Sequence, residues 1–259
     1  MTPTQYAILL AGSILGGALN SVVGGGSFVA FPALVFAGVP PVAANATSTF
    51  ALWPAGVASA WAYRNDLRHP RALGWAMSAA SLVGGGVGAL ALLRTSNTLF
   101  VRLIPWLMLV ATLLFSFGGH ITTRLRAGRA PQAADSTTAL LVGTLAQLAI
   151  SIYGGYFGGG MGIMMLATMS LLGMTDIHAM NGLRSVLGVL INGVAVAAFL
   201  ASGLVALGPG IIMVAGATAA GYLGAAAARR IDPTWVRRFV MAVAWTMTAV
   251  FFARALALF

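Results

Sequence analysis

The sequence contains no cysteine, no lysine and no glutamate. The lack of cysteine excludes disulfide bonds and thiolate metal sites. The lack of lysine excludes a phosphate-binding loop of the Gly-x-x-x-x-Gly-Lys type, so we do not expect this chain to hydrolyse ATP. Only four aspartates carry negative charge, and an intramembrane enzyme would need paired acids, a nucleophile with its base, or a metal. The sequence therefore predicts a protein that is not an enzyme and that has no cofactor and no metal site.

Charge of either sign is scarce. Charged residues make up 7% of the chain and hydrophobic residues 59%, whereas a soluble domain has roughly 25% charged residues. The stretches 1–63, 72–93, 136–175 and 185–228 contain no aspartate, glutamate, lysine or arginine. Because about 20 apolar residues suffice to cross a bilayer as a helix, we predict an all-α polytopic membrane protein. A transmembrane β-barrel would instead alternate polar and apolar residues in strands of about 10 residues.

The formal charge of +10 comes from arginine. The arginines separate apolar segments and do not form a continuous patch. This spacing is typical of residues that fix the orientation of helices in a membrane. We therefore expect the lipid bilayer, and not a nucleic acid, as the partner of the basic residues.

One long motif occurs twice. Gly24-Gly25-Gly26 returns as Gly158-Gly159-Gly160, 134 residues later, and Thr98 to Ile104 returns as Thr234 to Val240, 136 residues later. The duplication predicts a first transmembrane repeat at 1–118, a cytoplasmic linker at 119–137 and a second repeat at 138–259. Two similar halves with interrupted hydrophobic segments at matching places are typical of a secondary transporter.

Each repeat contains one apolar segment that is too short to cross comfortably. Segments 27–37 and 161–173 both follow a glycine triplet, and at about 1.5 Å per residue they reach only about half to two thirds of a ~30 Å hydrocarbon core. We expect about eight long transmembrane helices and two short segments that are either broken helices or re-entrant.

Equivalent loops carry opposite charge bias. Loop 64–71 contains three arginines and its counterpart 202–209 contains none, whereas 229–238 contains four and its counterpart 94–102 only two. If arginine-rich loops lie inside, the repeats are inverted relative to each other, and 64–71, 119–137 and 229–238 are cytoplasmic. If the short segments enter and leave on the same side, the repeats would instead be parallel.

The repeated motifs resemble those of the TauE/SafE sulfite exporter family. The resemblance is carried by Gly24-Gly25-Gly26-Ser27-Phe28-Val29-Ala30-Phe31-Pro32-Ala33-Leu34, by Gly38-Val39-Pro40, by Ala44-Asn45-Ala46-Thr47-Ser48 and by Asn181-Gly182-Leu183-Arg184. It extends over essentially the whole chain. It implies export of small sulfur-containing anions, such as sulfite or organosulfonates like sulfoacetate, across the bacterial inner membrane.

The residues themselves also indicate an anion site. A helix that begins after a glycine break directs its N–H groups and positive dipole end at a cavity. Arg184 lies about two turns inside an apolar segment, and a planar guanidinium fits an oxyanion. The candidate substrate ligands are Gly24, Gly25, Gly26, Ser27, Asn45, Thr47, Ser48, Gly158, Gly159, Gly160, Asn181 and Arg184. The alternative interpretations are that the glycines serve close helix packing and that Arg184 reaches back to the membrane interface.

Asp176 and His178 begin the segment that contains Arg184. They are candidates for proton coupling, although an aspartate at this position is commonly a helix cap. The predicted function is alternating-access export of a small anion, with the two interrupted segments near the midplane. An anion channel and a carrier for another small anion or solute stay open. A cation transporter is less expected, because cation sites in membranes normally use carboxylates or several carbonyls.

Overall fold

The computed structural model describes residues 1–23, 25–67, 70–127, 137–228 and 233–256. Within these ranges every regular element is a helix. The helices are α1 Pro3–Val23, α2 Ser27–Phe36, α3 Pro41–Ala62, α4 Arg71–Leu93, α5 Asn97–Ala127, α6 Thr137–Tyr156, α7 Met161–Leu171, α8 Ile177–Ala201, α9 Leu207–Ala228 and α10 Pro233–Leu256, with a short 3-10 helix at Arg64–Asp66. The predicted all-α fold is confirmed.

Helix lengths fall into two groups. The two short helices, α2 and α7, have 10 and 11 residues, and the other eight α-helices have between 20 and 31. In the described part of the chain, four helices combine the length and the hydropathy needed to cross a membrane: Arg71–Leu93, Asn97–Gly118, Ile177–Ala201 and Arg238–Leu256. The structure therefore has the eight long helices that the sequence predicts. That all eight cross the membrane stays a prediction. Helix α5 continues to Ala127 and covers the first part of the predicted linker, and residues 128–136 lie outside the described ranges.

The two short helices end in the same way. Gly38 and Gly173 follow α2 and α7, and each has a φ of 90°. This backbone conformation is open to glycine because it has no Cβ. In both places the next residue donates its N–H to a carbonyl near the end of the short helix, Val39 to Leu34 at 3.0 Å and Met174 to Met169 at 3.1 Å. The repeat seen in the sequence is therefore also a repeat of local structure.

Helices of one repeat pack closely against helices of the other. The most extensive contacts join α1 with α9 and α4 with α6. In the first pair a Cβ on Gly17 would overlap the carbonyl oxygen of Ala217, and in the second a Cβ on Gly88 would overlap that of Ile152. Small residues that let helix backbones approach are typical of helix packing in membranes. The repeats thus interlock through two equivalent interfaces.

The apolar interior forms two clusters of different composition. The larger one includes seven buried phenylalanines. Four of them, Phe31, Phe100, Phe157 and Phe251, have ring contacts with one another, and the exposed Phe36 stacks on Phe251; we call these five residues the phenylalanine cluster. The smaller one has no phenylalanine, and five of its twelve buried residues are methionines. We call Met77, Met165, Met169, Met174 and Met180 the methionine cluster. The first cluster contains the buried phenylalanines of α2, and the second contains Met165 and Met169 of α7, although Ile163 of α7 packs against the first.

We call the side of the bundle where α1 begins the first end. Several contacts show which other helices begin or end there. Gln5 Nε2 donates to Ala37 O at 2.9 Å, which brings the end of α2 to the beginning of α1. The N–H of Val42 donates to Asn97 Oδ1 at 3.1 Å, which joins the beginnings of α3 and α5. The contacts Thr95–Tyr156, Thr47–Ala206 and Phe36–Phe251 add the end of α6, the beginning of α9 and the end of α10.

At the opposite end, the beginning of α8 meets the end of α3. A Cβ on Gly182 would lie 3.4 Å from Tyr63 O and 3.2 Å from a methyl of Leu67. The short helix Arg64–Asp66 also contacts α8. Helices α3 and α8 therefore run antiparallel past each other through the middle of the molecule, and this crossing creates the site described next.

Candidate functional site

A cavity of about 90 Å³ lies among α1, α2, α3, α7 and α8. Its lining comes from both repeats and consists of Asn20, Ser27, Thr49, Leu52, Trp53, Gly56, Ser59, Gly158, Met161, Gly162, Met165, Arg184, Ser185, Gly188, Val189 and Asn192. Since one water takes about 30 Å³ of liquid volume, the cavity has room for a small polyatomic ion. Arg184 is the charged residue in this lining, and the other polar groups are neutral hydroxyls and amides.

Both short helices begin at this cavity. Ser27 and Met161 are the first residues of α2 and α7, they occupy equivalent repeat positions, and both line it. The first N–H groups of a helix have no partner within that helix and carry partial positive charge. At α7 the N–H groups of Ile163 and Met164 both donate to Gly160 O, at 3.1 and 3.4 Å. The two helix beginnings therefore place positive dipole ends beside one small volume.

Arg184 supplies a full positive charge to the same volume. Helix α8 begins at Ile177, so Arg184 stands two turns inside it. Its Nε is buried and has no hydrogen-bond partner in the part of the chain that the structure describes. Within the described residues the guanidinium forms no hydrogen bond and no ion pair. Because an uncompensated buried charge costs several kcal/mol, this geometry favours binding of an anion.

Two hydrogen bonds hold the long helices that carry most of the lining. Trp53 Nε1 donates to Val189 O at 3.1 Å, and the hydroxyls of Ser59 and Ser185 are 3.3 Å apart. Trp53 and Val189 are equivalent positions of the two repeats. From Thr49 to Ser59 the lining extends along α3 for about 15 Å. The cavity thus follows the contact between α3 and α8.

Three of the candidate ligands predicted from the sequence line the cavity: Ser27, Gly158 and Arg184. Gly25, Gly26, Gly159, Gly160 and Asn181 are not part of the lining. Gly24 lies outside the described residues. A Cβ on Gly26 would overlap Gly16 O, and one on Gly160 would lie 3.2 Å from Ala111 Cα. At these two positions glycine allows close approach of neighbouring helices.

Asn45, Thr47 and Ser48 are buried and bind protein backbone instead. Asn45 Nδ2 donates to Tyr156 O at 2.9 Å, and Thr47 Oγ1 accepts from the N–H of Ala206 at 3.0 Å. Ser48 Oγ donates to the carbonyl of Asn45 at 2.9 Å. None of the three lines the cavity. Asn45 and Thr47 attach α3 to the end of α6 and to the beginning of α9.

Asp176 and His178 lie outside the cavity, at the exposed beginning of α8. Asp176 Oδ1 accepts from the N–H groups of His178 and Ala179, at 2.8 and 3.3 Å. This is the geometry of a helix N-cap. Asp176 therefore caps α8, as the alternative interpretation expects. Proton coupling through Asp176 and His178 stays a prediction.

The lining also contains polar residues that are not in the set of candidate ligands given above. They are Asn20, Thr49, Ser59, Ser185 and Asn192. A signal was present in their spacing, because the lining positions of α3 and of α8 recur every three or four residues, as one face of a helix does. Thr49 and Ser185 also occupy equivalent repeat positions. In the part of the chain that the structure describes, no group of three or more acidic, histidine or cysteine side chains is arranged to hold a metal ion.

Comparison with known proteins decides the family. A family model described as "Sulfite exporter TauE/SafE" matches residues 8–251. The chain belongs to the TauE/SafE family. The resemblance carried by the glycine and asparagine motifs is thereby confirmed.

Two curated relatives of this TauE/SafE protein are named as transporters. A "Probable membrane transporter protein" of Haemophilus influenzae is 28% identical over 245 residues, which cover 94% of this chain and 92% of the relative. A "Probable membrane transporter protein ORF9" of a Sinorhizobium species is 28% identical over 170 residues, 64% of this chain and 62% of that relative. No solved structure matches the chain. A role in membrane transport follows from the family and agrees with the apolar helices.

Proposed function

We propose that this TauE/SafE protein is a secondary transporter that exports small sulfur-containing anions, sulfite or organosulfonates such as sulfoacetate, by alternating access. The observation that carries the proposal is the guanidinium of Arg184 beside the beginnings of two helices. Its buried Nε has no hydrogen-bond partner among the described residues. A sulfite or sulfonate group presents several oxygens at once, which suits the planar fork of arginine. The protein acts as a carrier and not as an enzyme.

The charge balance of the lining favours an anion over a cation. Arg184 lines the cavity, and among the described residues no carboxylate or imidazole belongs to the lining. A cation would meet repulsion from Arg184 and from two helix dipole ends without a carboxylate to offset it. Ser27, and Ser185 when Ser59 donates the hydrogen bond between the two hydroxyls, can donate a hydroxyl proton to an oxygen of a bound anion.

The contacts at the helix ends support inverted repeats. At the first end of the bundle, α1 begins, whereas its counterpart α6 ends there, beside the hydroxyl of Thr95. In the same way α3 begins at the first end beside Asn97, whereas its counterpart α8 begins at the opposite end beside Tyr63. We therefore propose that the eight long helices connect the two ends, that α2 and α7 each run from the cavity to one end as short crossings, and that the two repeats have opposite orientation.

Arginine distribution assigns the sides in this proposal. Arg64 and Arg71 are at the opposite end of the bundle, where α3 ends and α4 begins. Arg124, Arg126, Arg237 and Arg238 belong to helix turns at that same end. Three arginines, Arg94, Arg102 and Arg254, belong to turns near the first end. By the positive-inside rule, the opposite end faces the cytoplasm of a bacterium and the first end faces away from it.

Alternating access follows from where the cavity sits. It lies between α2 and α3 of one repeat and α7 and α8 of the other, so rocking of one repeat against the other would open it to either side. Arg184 is two turns from the cytoplasmic end of α8, and an anion that binds there enters from the cytoplasm.

The test uses purified protein in liposomes. We expect Arg184→Ala to lower the rate of sulfite and sulfoacetate flux at least about tenfold, because a hydrogen bond to a charged group contributes about 1.5–3 kcal/mol. Arg94→Ala is the matched control, since Arg94 is exposed at the end of α4. A carrier also predicts saturation and stimulation by substrate on the far side. Undiminished flux in Arg184→Ala would show that Arg184 does not bind the anion. Flux that does not saturate with substrate would indicate a channel.

A further inference from the structure

The guanidinium of Arg184 lies directly against the backbone of α7. A Cβ placed on Gly162, the second residue of α7, would be 3.2 Å from Arg184 Nη1 and 3.3 Å from Arg184 Cδ. Both residues line the cavity. Any side chain at position 162 would therefore meet the arginine before it met another part of the protein.

The corresponding positions of the first repeat show the opposite distribution of volume. Gly162 is equivalent to Phe28, and Arg184 is equivalent to Ser48. Phe28 is buried and packs edge-on against Phe115 with ring centres 5.9 Å apart. In the first repeat the large side chain is on the short helix and the small one on the long helix. In the second repeat the short helix has no side chain there and the long helix carries the arginine.

The N–H groups at the beginning of α7 complete this arrangement. Ile163 and Met164 donate their N–H groups to Gly160 O. Among the described residues, the N–H of Gly162 has no such acceptor. The donor of Gly162 and the donors of Arg184 are therefore neighbours at one wall of the cavity.

We infer that Gly162 is a positioning residue for anion binding. Its missing side chain lets the Arg184 guanidinium lie at the beginning of α7, so that the arginine and the helix terminus bind one anion together. This inference rests on the proposed function. A methyl group at position 162 would push the guanidinium away by a few tenths of an ångström, and binding geometry is sensitive to displacements of about 0.5 Å.

A merely structural role for Gly162 predicts a different result. Alanine forms helix more favourably than glycine, so Gly162→Ala does not weaken α7 as a helix. Positioning of Arg184 predicts a loss of anion affinity without a loss of stability. Crowding of the fold in general predicts a lower unfolding temperature in the absence of anion.

The first experiment compares Gly162→Ala with Gly210→Ala. A Cβ on Gly210 would be equally crowded, 3.2 Å from Cδ1 of Phe50, but Gly210 does not line the cavity. We expect the KM for sulfite flux in proteoliposomes to rise at least about fivefold in Gly162→Ala, with Vmax within about twofold of the wild type and no lower unfolding temperature without sulfite. Gly210→Ala should leave KM within about twofold. Equal KM values in the two variants would overturn the inference.

The second experiment tests whether Gly162 acts through the guanidinium. The ammonium group of lysine has no planar fork. In an Arg184→Lys background, Gly162→Ala should therefore change the KM for sulfite by less than about twofold. If flux is too low to give a KM, sulfite-dependent thermal stabilisation is compared instead. An equal change in both backgrounds would mean that Gly162 acts independently of Arg184. Wild-type flux in Arg184→Ala would instead defeat the proposed function itself, so the two failures are distinguishable.

Discussion

The two short helices occupy equivalent places in the two repeats but lie in different surroundings. Phe31 in α2 packs against the rings of Phe100, Phe157 and Phe251, with ring centres 5.7–6.3 Å apart. Its counterpart in α7 is Met165, a member of the methionine cluster. Aromatic rings pack in a few preferred geometries, whereas methionine is flexible and adapts to its neighbours. One backbone plan thus supports a firmly packed helix and a more deformable one.

This difference concerns the cavity directly. Helix α7 contributes Met161, Gly162 and Met165 to the lining, whereas α2 contributes Ser27. If the repeats move against each other during transport, the methionine cluster can repack at lower cost than the phenylalanine cluster. We therefore expect motion to be concentrated around α7, at the end that we propose to be cytoplasmic.

The largest effect is expected where the repeats are alike. Gly17 and Gly88 lie at the equivalent interfaces α1–α9 and α4–α6, and a Cβ at either would overlap backbone of the facing helix. Overpacking typically costs about 1–3 kcal/mol, and more when backbone must move. Gly17→Val and Gly88→Val should both reduce the yield of folded protein in detergent and lower its unfolding temperature strongly.

Gly86→Val is the matched control for these two variants, since a Cβ on Gly86 would meet only a methyl of Val194 at 3.5 Å. Stability of Gly17→Val or Gly88→Val equal to that of Gly86→Val would show that the interface can separate. A strong effect in one variant alone would break the equivalence of the two interfaces.

A smaller but more informative effect is expected in the two clusters. Phe31 and Met165 are both fully buried, with exposures of 1% and 0%. Removal of a buried phenylalanine costs about 3–5 kcal/mol and of a buried methionine about 2–5 kcal/mol. Phe31→Ala should lose more stability than Met165→Ala, because three ring contacts disappear and a flexible cluster closes a cavity better.

Thermal unfolding in detergent measures this difference for both variants. Sulfite flux is measured beside it, since Met165 lines the cavity and Phe31 does not. Met165→Ala should therefore change the flux of the folded protein, because it alters the cavity lining. Phe31→Ala should lower flux only through the amount of protein that stays folded. The reverse order of stability loss would contradict the contrast between a rigid and an adaptable cluster.

Much of the fold could be predicted because its signals are local. Long runs without charge predict the long helices, and a glycine triplet before a short apolar segment predicts each of α2 and α7. Arg184 could be found because it is a lone charge in such a run. The membership in a transporter family also followed from local motifs.

The roles of the buried polar residues could not be predicted in the same way. Asn45 and Thr47 look like ligands within an apolar segment, but their partners are Tyr156 O and the N–H of Ala206, more than 100 residues away. Ser59 looks unremarkable in sequence and meets Ser185 at the cavity. Which polar group faces the cavity depends on how the repeats interlock, and that is a property of packing and not of local pattern.

The smallest effect is expected where the repeats meet at equivalent positions. Thr112 and Thr248 correspond to each other, their hydroxyls are 3.0 Å apart, and both also reach Ala244 O. Hydrogen bonds between membrane helices average about 0.6 kcal/mol. Thr112→Val and Thr248→Val should each lower the unfolding temperature slightly, and the double variant should lose less than the sum, because the shared bond is lost once. Strictly additive losses would mean that the two hydroxyls act through their separate bonds to Ala244 and that the α5–α10 contact does not couple the repeats.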